Sequence, residues 1–221
     1  MGFDLGASYT KIVFRSKRET HVLRLEDDCR GIVARSGDGY VFGVEAAYLP
    51  GYLPGALKYA IYSSARRTKL LKTWKNMLRS TAFPGFSNRE TILDLSEKEC
   101  IKMIRAYLRT RIFPIITKFL SRNPGMIRYI IPTIPNKLHF DKGHVKQLNW
   151  YKQAIQDELC LSYATFPADI ALEGEALAGY QLWLNERKQD RNNQSNSLIA
   201  FDCGHSSIVR VLLEPGPRSR D

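Results

Sequence analysis

Apolar and β-forming residues open the chain in a pattern that changes direction sharply. Phe3 and Leu5 flank Asp4, the small residues Gly6, Ala7 and Ser8 follow, and Thr10-Lys11-Ile12-Val13-Phe14 resumes as β-formers. This predicts a strand, a tight turn and a second strand. The same device recurs near the other end. Ser197-Leu198-Ile199-Ala200-Phe201 reads as a buried strand, Asp202 through Ser206 as a turn, and Ser207-Ile208-Val209-Arg210-Val211-Leu212-Leu213 as the returning strand. Residues 1 to about 45 read as a small β-meander. Residues 50 to 125 read as largely helical after the stretch Pro50-Gly51-Tyr52-Leu53-Pro54-Gly55. Within them Ser96 and Glu99 form a capping-box signature for a helix over 98–122, with Ile101, Ile104, Leu108, Ile112, Ile115 and Ile116 as its apolar stripe. Pro114 is expected to kink or divide that helix. Residues 126 to 187 resume strand and helix.

The run from Asn185 to Asn196 carries too few apolar side chains to contribute a core and reads as a connection, and Glu214 to Asp221, rich in Pro, Gly and Arg, as a disordered tail. No repeat at solenoid spacing is present. With 221 residues and 44% hydrophobic content the chain can bury a core as one domain or two. It contains no run of eighteen apolar residues, so no membrane span is expected. Its start fits neither a signal peptide nor a myristoylation site, since residue 6 is glycine. Cys29, Cys100, Cys160 and Cys203 are scattered, without a Cys-x-x-Cys pair, and read as reduced thiols of a cytoplasmic or nuclear protein.

A net charge of +11 raises the question of a polyanionic partner. Basic residues gather at Arg15 to Arg18, from Arg66 to Lys75, and along 98–122, where Lys102, Arg105, Arg109 and Arg111 read as a solvated face. Such a chain has salt-sensitive affinity for anionic surfaces whatever its function. No nucleic-acid reading module accompanies the charge, which disfavours specific nucleic-acid recognition.

The two hairpins suggest a more particular chemistry. A turn of Gly6, Ala7 and Ser8 has little side-chain bulk, so its backbone N–H groups can approach an anion, while Asp4 faces the same space. A carboxylate beside a phosphate calls for a cation between them, and Mg²⁺ bridges the two while keeping several waters. Asp202 and its turn repeat the arrangement. Either hairpin alone is an ordinary Asp-x-Gly turn.

The order of three segments is more specific. Phe3 to Ser8, Glu173 to Ala178 and Phe201 to Ser207 resemble, in sequence order and spacing, the first phosphate motif, the interlobe helix start and the second phosphate motif of the 70-kDa heat-shock protein family of actin-like ATPases. Asp4 and Glu173 are 169 residues apart, and Asp202 follows 29 residues later. Tyr40 to Ala47 resembles the family's strand-then-glycine segment. Arg128 to Pro135 resembles its Val-Thr-Val-Pro strand, after which a long helix from His139 to about Cys160 is expected. The likeness is nearest to divergent fungal-type members, whose Trp-x-Lys-x-Leu-Leu pattern resembles Thr73-Trp74-Lys75-Asn76-Met77-Leu78.

The resemblance implies an α/β fold of the ribonuclease-H-like actin and heat-shock-70 kind, truncated after the second phosphate motif. Residues 1–187 would form lobe I, 188–196 the polar interlobe linker, 197–213 the first hairpin of lobe II and 214–221 the tail. It implies ATP or ADP with Mg²⁺ as ligands, Asp4 and Asp202 holding the hydrated metal. Gly6, Ala7, Ser8, Tyr9, Gly204, His205, Ser206 and Ser207 would surround the phosphates, with Glu173 at the lobe hinge. Lys75 would be the lysine nearest the γ-phosphate, with Lys69 and Lys72 as competitors. Nucleotide would be the ligand, and a co-chaperone or another protein the partner.

Departures from the family weaken the catalytic half of this expectation. Where the family has Asp-x-Gly-Gly-Gly-Thr-x-Asp, this chain has His205 and Ser206 for two glycines and Val209 for the last aspartate; Gly174 replaces the interlobe proline. A Cβ at a phosphate-facing glycine blocks close approach, and the family's adenosine-binding residues have no counterpart before residue 221. ATPase activity is therefore expected to be weak or absent. Two other readings stay open: a non-catalytic remnant serving as an interaction module, and a basic binder of nucleic acid or anionic surfaces.

Overall fold

The computed structural model describes residues 1–6, 9–15, 20–23, 30–49, 52–69, 72, 95–123, 131–134, 145–159, 171–172, 198–203 and 208–213. The fold is mixed α/β. Three strands, β1 (Gly2–Leu5), β2 (Thr10–Arg15) and β3 (Thr20–Leu23), form an antiparallel meander. β7 (Ile131–Ile134) lies parallel to β1 on its other side, and β8 (Ala171–Leu172) lies parallel to β7. The sheet order is therefore β3-β2-β1-β7-β8. A second antiparallel sheet, ordered β5-β4-β6, contains β4 (Ile32–Ser36), β5 (Gly39–Phe42) and β6 (Leu53–Pro54). The last described strands, β9 (Leu198–Cys203) and β10 (Ile208–Leu213), pair antiparallel with each other.

Helices α1 (Val44–Ala47), α2 (Ala56–Ala60) and α3 (64–69) follow the small sheet. α4 (Glu97–Tyr107) starts at the expected capping box: the Ser96 hydroxyl accepts the Glu99 backbone N–H, and the Glu99 carboxylate accepts the Ser96 backbone N–H. The Ser96 hydroxyl also donates to the Glu99 carboxylate at 2.8 Å; this bond first, and that from the Ser96 backbone N–H second, hold the Glu99 carboxyl below its usual range. A π-helical turn (Leu108–Ile112) leads into α5 (Phe113–Arg122), and α6 spans Val145–Leu159.

The π turn has a local cause. Pro114 has no N–H to give the Thr110 carbonyl, and its ring would press on that carbonyl in a regular α-helix. The ladder widens instead, so that the Phe113 N–H reaches back to the Leu108 carbonyl. Widening also serves the apolar stripe. Ile104, Leu108, Ile112, Ile116 and Leu120 recur every four residues and are all buried. That period exceeds the 3.6 residues of an α-turn, so the stripe would drift around a continuous helix. A wider turn takes up part of the drift.

Period-2 alternation puts Phe3 and Leu5 of β1, with Ile12 and Phe14 of β2, into the core beneath these helices. Phe14 stacks on Phe119 at 3.9 Å between centroids, and Phe42 meets the edge of Tyr107 at 5.3 Å. Buried Thr10 shares a 2.6 Å hydrogen bond with the Tyr107 hydroxyl, tying β2 to α4. Among the described residues no helix is long and apolar enough to cross a membrane.

The Pro/Gly-rich stretch holds a short strand, with Pro54 opposite Ile32, and the helices begin after it. One expectation changes. The basic side chains of α4 and the π turn are not a simple solvated face. Arg105 donates to Asp157 at 2.5 Å and to Glu158 at 3.0 Å, and Arg109 grips the Glu158 carboxylate through Nε at 2.8 Å and Nη2 at 3.1 Å. Arg111 binds Glu45 at 3.1 Å. Burying Glu158 against α4 requires positive partners, and the arginines supply them.

Candidate functional site

Alternation decides what faces away from the core. Between buried Phe3 and Leu5, Asp4 points to the other side of the sheet, and between buried Thr10 and Ile12 so does Lys11. The antiparallel register sets Asp4 directly opposite Lys11. On the far side of β1, Phe3 is level with Pro132, which brings Thr133 beside Asp4. Three neighbouring strands thus place Lys11, Asp4 and Thr133 in one row, near the carboxyl ends of the parallel pair β1 and β7. Ligand crevices of open α/β sheets lie outside such ends.

The row is held by polar contacts. The Thr133 hydroxyl donates to Asp4 Oδ1 at 2.7 Å, across 129 residues of sequence. The Lys11 ammonium lies 3.8 Å from Asp4 Oδ2, with the Lys11 side chain 69% exposed and that of Asp4 28%. Asp4 is therefore fixed on one oxygen and electrostatically balanced on the other, at the rim of the sheet. Two unit charges about 4 Å apart attract by roughly 1 kcal/mol in water and several times that where the effective dielectric constant is near 20. The exposure of Lys11 keeps this pair near the lower figure.

Gly6 follows immediately. A Cβ there would overlap the Tyr9 carbonyl oxygen and come within 3.8 Å of Asp4 Oδ2. The close approach of backbone to backbone requires glycine, independently of φ. Tyr9 is 44% exposed and forms an isolated bridge with Arg30, whose guanidinium carbon lies 5.7 Å from its ring centroid. The rim of the first hairpin thus combines one carboxylate, a hydroxyl, a glycine-tight turn and two nearby cations, a constellation able to receive an anion.

Among the anticipated site residues, the structure brings together Asp4, Gly6 and Tyr9. Asp202 lies within β9, opposite Val209, rather than in the turn that follows. Lys69, the last described residue of α3, is exposed, and Lys72 is helical and exposed. Ala7, Ser8, Lys75, Glu173, Gly204, His205, Ser206 and Ser207 lie outside the described residues, as does the interlobe helix start expected from Glu173 to Ala178. Among the described residues no group of three or more His, Cys, Asp and Glu side chains is placed to hold a metal ion.

Two members of the row, Lys11 and Thr133, were not anticipated as site residues. Lys11 carried a usable signal: a hairpin that turns over Gly6 to Tyr9 pairs Leu5 with Thr10 and hence Asp4 with Lys11. Thr133 carried none, because a parallel register between segments so far apart is set by tertiary packing.

No protein-family model matches this chain, and neither does any curated protein.

Proposed function

We propose that this chain is a nucleotide-binding protein of the heat-shock-70-like, actin-like kind, which takes the phosphate chain of ATP or ADP at the rim formed by Asp4, Gly6, Lys11 and Thr133. The observation that carries the reading is the place of this row. A glycine-tight β1–β2 turn and a hydroxyl-pinned carboxylate meet at the carboxyl ends of parallel strands, in a mixed sheet ordered β3-β2-β1-β7-β8. An antiparallel meander continued by parallel strands is the architecture expected of lobe I of such ATPases. Residues 1–187 are accordingly read as lobe I, 188–196 as its connection and 197–213 as the entry to lobe II.

A hydrated Mg²⁺ asks a protein for only one or two carboxylates and completes its shell with water and phosphate. By the resemblance Asp4 would be one such carboxylate and Asp202 the other. When bound, the ion would neutralise phosphate charge. The protein's own residues have defined parts. Gly6 lets the chain close on the Tyr9 carbonyl and so holds the turn beside Asp4, Thr133 fixes the rotamer of Asp4, and Lys11 adds positive charge at the mouth. Phosphoryl transfer depends on positioning and charge neutralisation. With Val209 where the family has a carboxylate, binding is the activity proposed, with turnover weak or absent. A chaperone-like role in the cytoplasm, with a co-chaperone or another protein as partner, is the setting this reading implies.

Calorimetric titration with ATP and ADP tests the proposal. Saturable binding is expected in the wild-type protein, and its loss in Gly6→Val, whose Cβ would collide with the Tyr9 carbonyl oxygen and open the turn, with circular dichroism showing that the rest of the chain stays folded. Thr133→Val, which removes only the hydroxyl on Asp4, should weaken it with the melting temperature little changed. Absence of heat at millimolar nucleotide from a folded protein would sink the nucleotide reading.

A further inference from the structure

We infer that Lys11 supplies the positive charge that a divalent cation would bring to Asp4, so that the site holds a phosphate chain without metal. The inference rests on the phosphate-binding reading and departs from the metal dependence that the resemblance implies.

The register makes Lys11 the direct cross-strand neighbour of Asp4, so its ammonium is on the same face by construction. It sits 3.8 Å from Oδ2, while Oδ1 is taken by the Thr133 hydroxyl. Both oxygens thus already face a donor. A Mg²⁺ ion on Oδ2 would bind at about 2.0–2.1 Å, placing a double positive charge within a few ångströms of the ammonium. The two cations would repel at that distance, and the ammonium is the one that the register already sets beside the carboxylate.

What remains is a neutralised carboxylate with an ammonium beside it. Lys11 is exposed over 69% of its side chain, so only part of its donor capacity is directed at Asp4. Lysine acts on phosphate as a point charge with three rotatable donors, and requires no fixed approach. A phosphate oxygen arriving at the Gly6 turn meets this ammonium directly, and the Arg30 guanidinium over Tyr9 adds positive potential nearby. The ligand class is therefore a metal-free polyphosphate chain, carried by a nucleotide if the reading above holds.

The experiment compares wild type, Lys11→Met and Lys11→Arg, each titrated with ADP and with inorganic tripolyphosphate, once in EDTA and once in Mg²⁺. The exposure of Lys11 makes all three foldable, and their melting temperatures serve as the check. Wild-type affinity is expected to agree within about twofold between EDTA and Mg²⁺, while Lys11→Met loses about tenfold or more in EDTA and Lys11→Arg retains most of it. Mn²⁺ titration followed by electron paramagnetic resonance gives a readout without phosphate. Lys11→Met should gain a site that the double variant Asp4→Asn/Lys11→Met lacks, and wild type should show none. Wild-type binding that requires Mg²⁺, or binding in EDTA unchanged in Lys11→Met, overturns the inference and leaves the nucleotide reading standing. Tripolyphosphate bound through Lys11 with no ADP bound removes the nucleotide reading and keeps the role of Lys11. Neither ligand bound by folded protein removes both.

Discussion

Arg67 donates from Nη1 to the Tyr62 carbonyl at 2.5 Å and from Nη2 to the Leu95 carbonyl at 2.7 Å, and is only 1% exposed. It lies in the basic run from Arg66 to Lys75, yet it is a core residue. Its guanidinium satisfies the main chain on both sides of the long segment between α3 and α4, and its Nε has no partner among the described residues. Replacing it by methionine keeps the stem but strips two buried carbonyls of donors. Arg67→Met should cost about 2–4 kcal/mol in urea denaturation, against about 0.5 kcal/mol for Arg66→Met. Equal effects would show that the guanidinium contributes no more than a surface charge. Cys100 offers a pH test at the same scale. Burial pushes its thiol up from 9.0 to about 11, ahead of the opposing pull of Arg67. A folded value above the unfolded one means that the native state keeps its proton while the unfolded chain loses it. Stability is then fully present below about pH 9 and falls as pH rises toward 11. Cys100→Ala should flatten that fall relative to wild type, measured as urea midpoints across the range.

Helices α4 and α6 meet through a carboxylate that neither could bury alone. Glu158 has a side chain 1% exposed and is held by Arg105 and Arg109, whose side chains are 32% and 67% exposed. Asp157 beside it is held below the usual carboxylate range, mainly by its hydrogen bond from Arg105. Its folded value being lowered, that contribution is present at neutral pH and is lost as acid protonates it in the folded state. Glu158→Ala leaves Arg105 on Asp157 and lets the exposed Arg109 rehydrate, so a loss of about 2–3 kcal/mol is expected, below the roughly 3–5 kcal/mol of a fully buried pair. Arg105→Ala should cost more than Arg109→Ala, because the more exposed arginine has exchanged less water for protein. Urea midpoints of the three variants check the order, and parity between the two arginines would contradict it. The helices themselves were legible in the sequence where local chemistry governs them: the Ser96 capping box, the interruption at Pro114, the alternation in β1 and β2. The ion pairs were not, since Arg105 and Glu158 are 53 residues apart and nothing in either helix records which faces meet. The site divides in the same way. Asp4 and Gly6 announce themselves in a tight turn, whereas Thr133 reaches Asp4 only through the parallel pairing of β1 with β7.

The net charge of +11 already offsets the acids against the bases, so ion pairing leaves it unchanged and limits only which cations are available to a ligand. Arg105, Arg109 and Arg111 are engaged with Asp157, Glu158 and Glu45; Lys146 lies 2.8 Å from Glu97; and Arg67 is buried. Each such pair removes a cation from the set that could neutralise phosphates along a duplex. Counterion release then leaves an affinity for nucleic acid that is nonspecific and steeply salt-dependent. Binding of a random duplex should be measurable at low salt and lost near physiological ionic strength. At a fixed salt concentration it should be little affected by Lys11→Met, because a single lysine is a small share of a diffuse potential. Phosphate binding at the β1–β2 rim should behave oppositely, surviving about 0.15 M salt through short-range contacts and failing on that substitution. Fluorescence anisotropy with a labelled duplex, run beside the polyphosphate titrations over one salt series, separates the two. A duplex affinity that persists at high salt and falls with Lys11→Met would mean that the rim itself reads the nucleic-acid backbone, and that the chain's excess charge serves a polymer rather than a nucleotide.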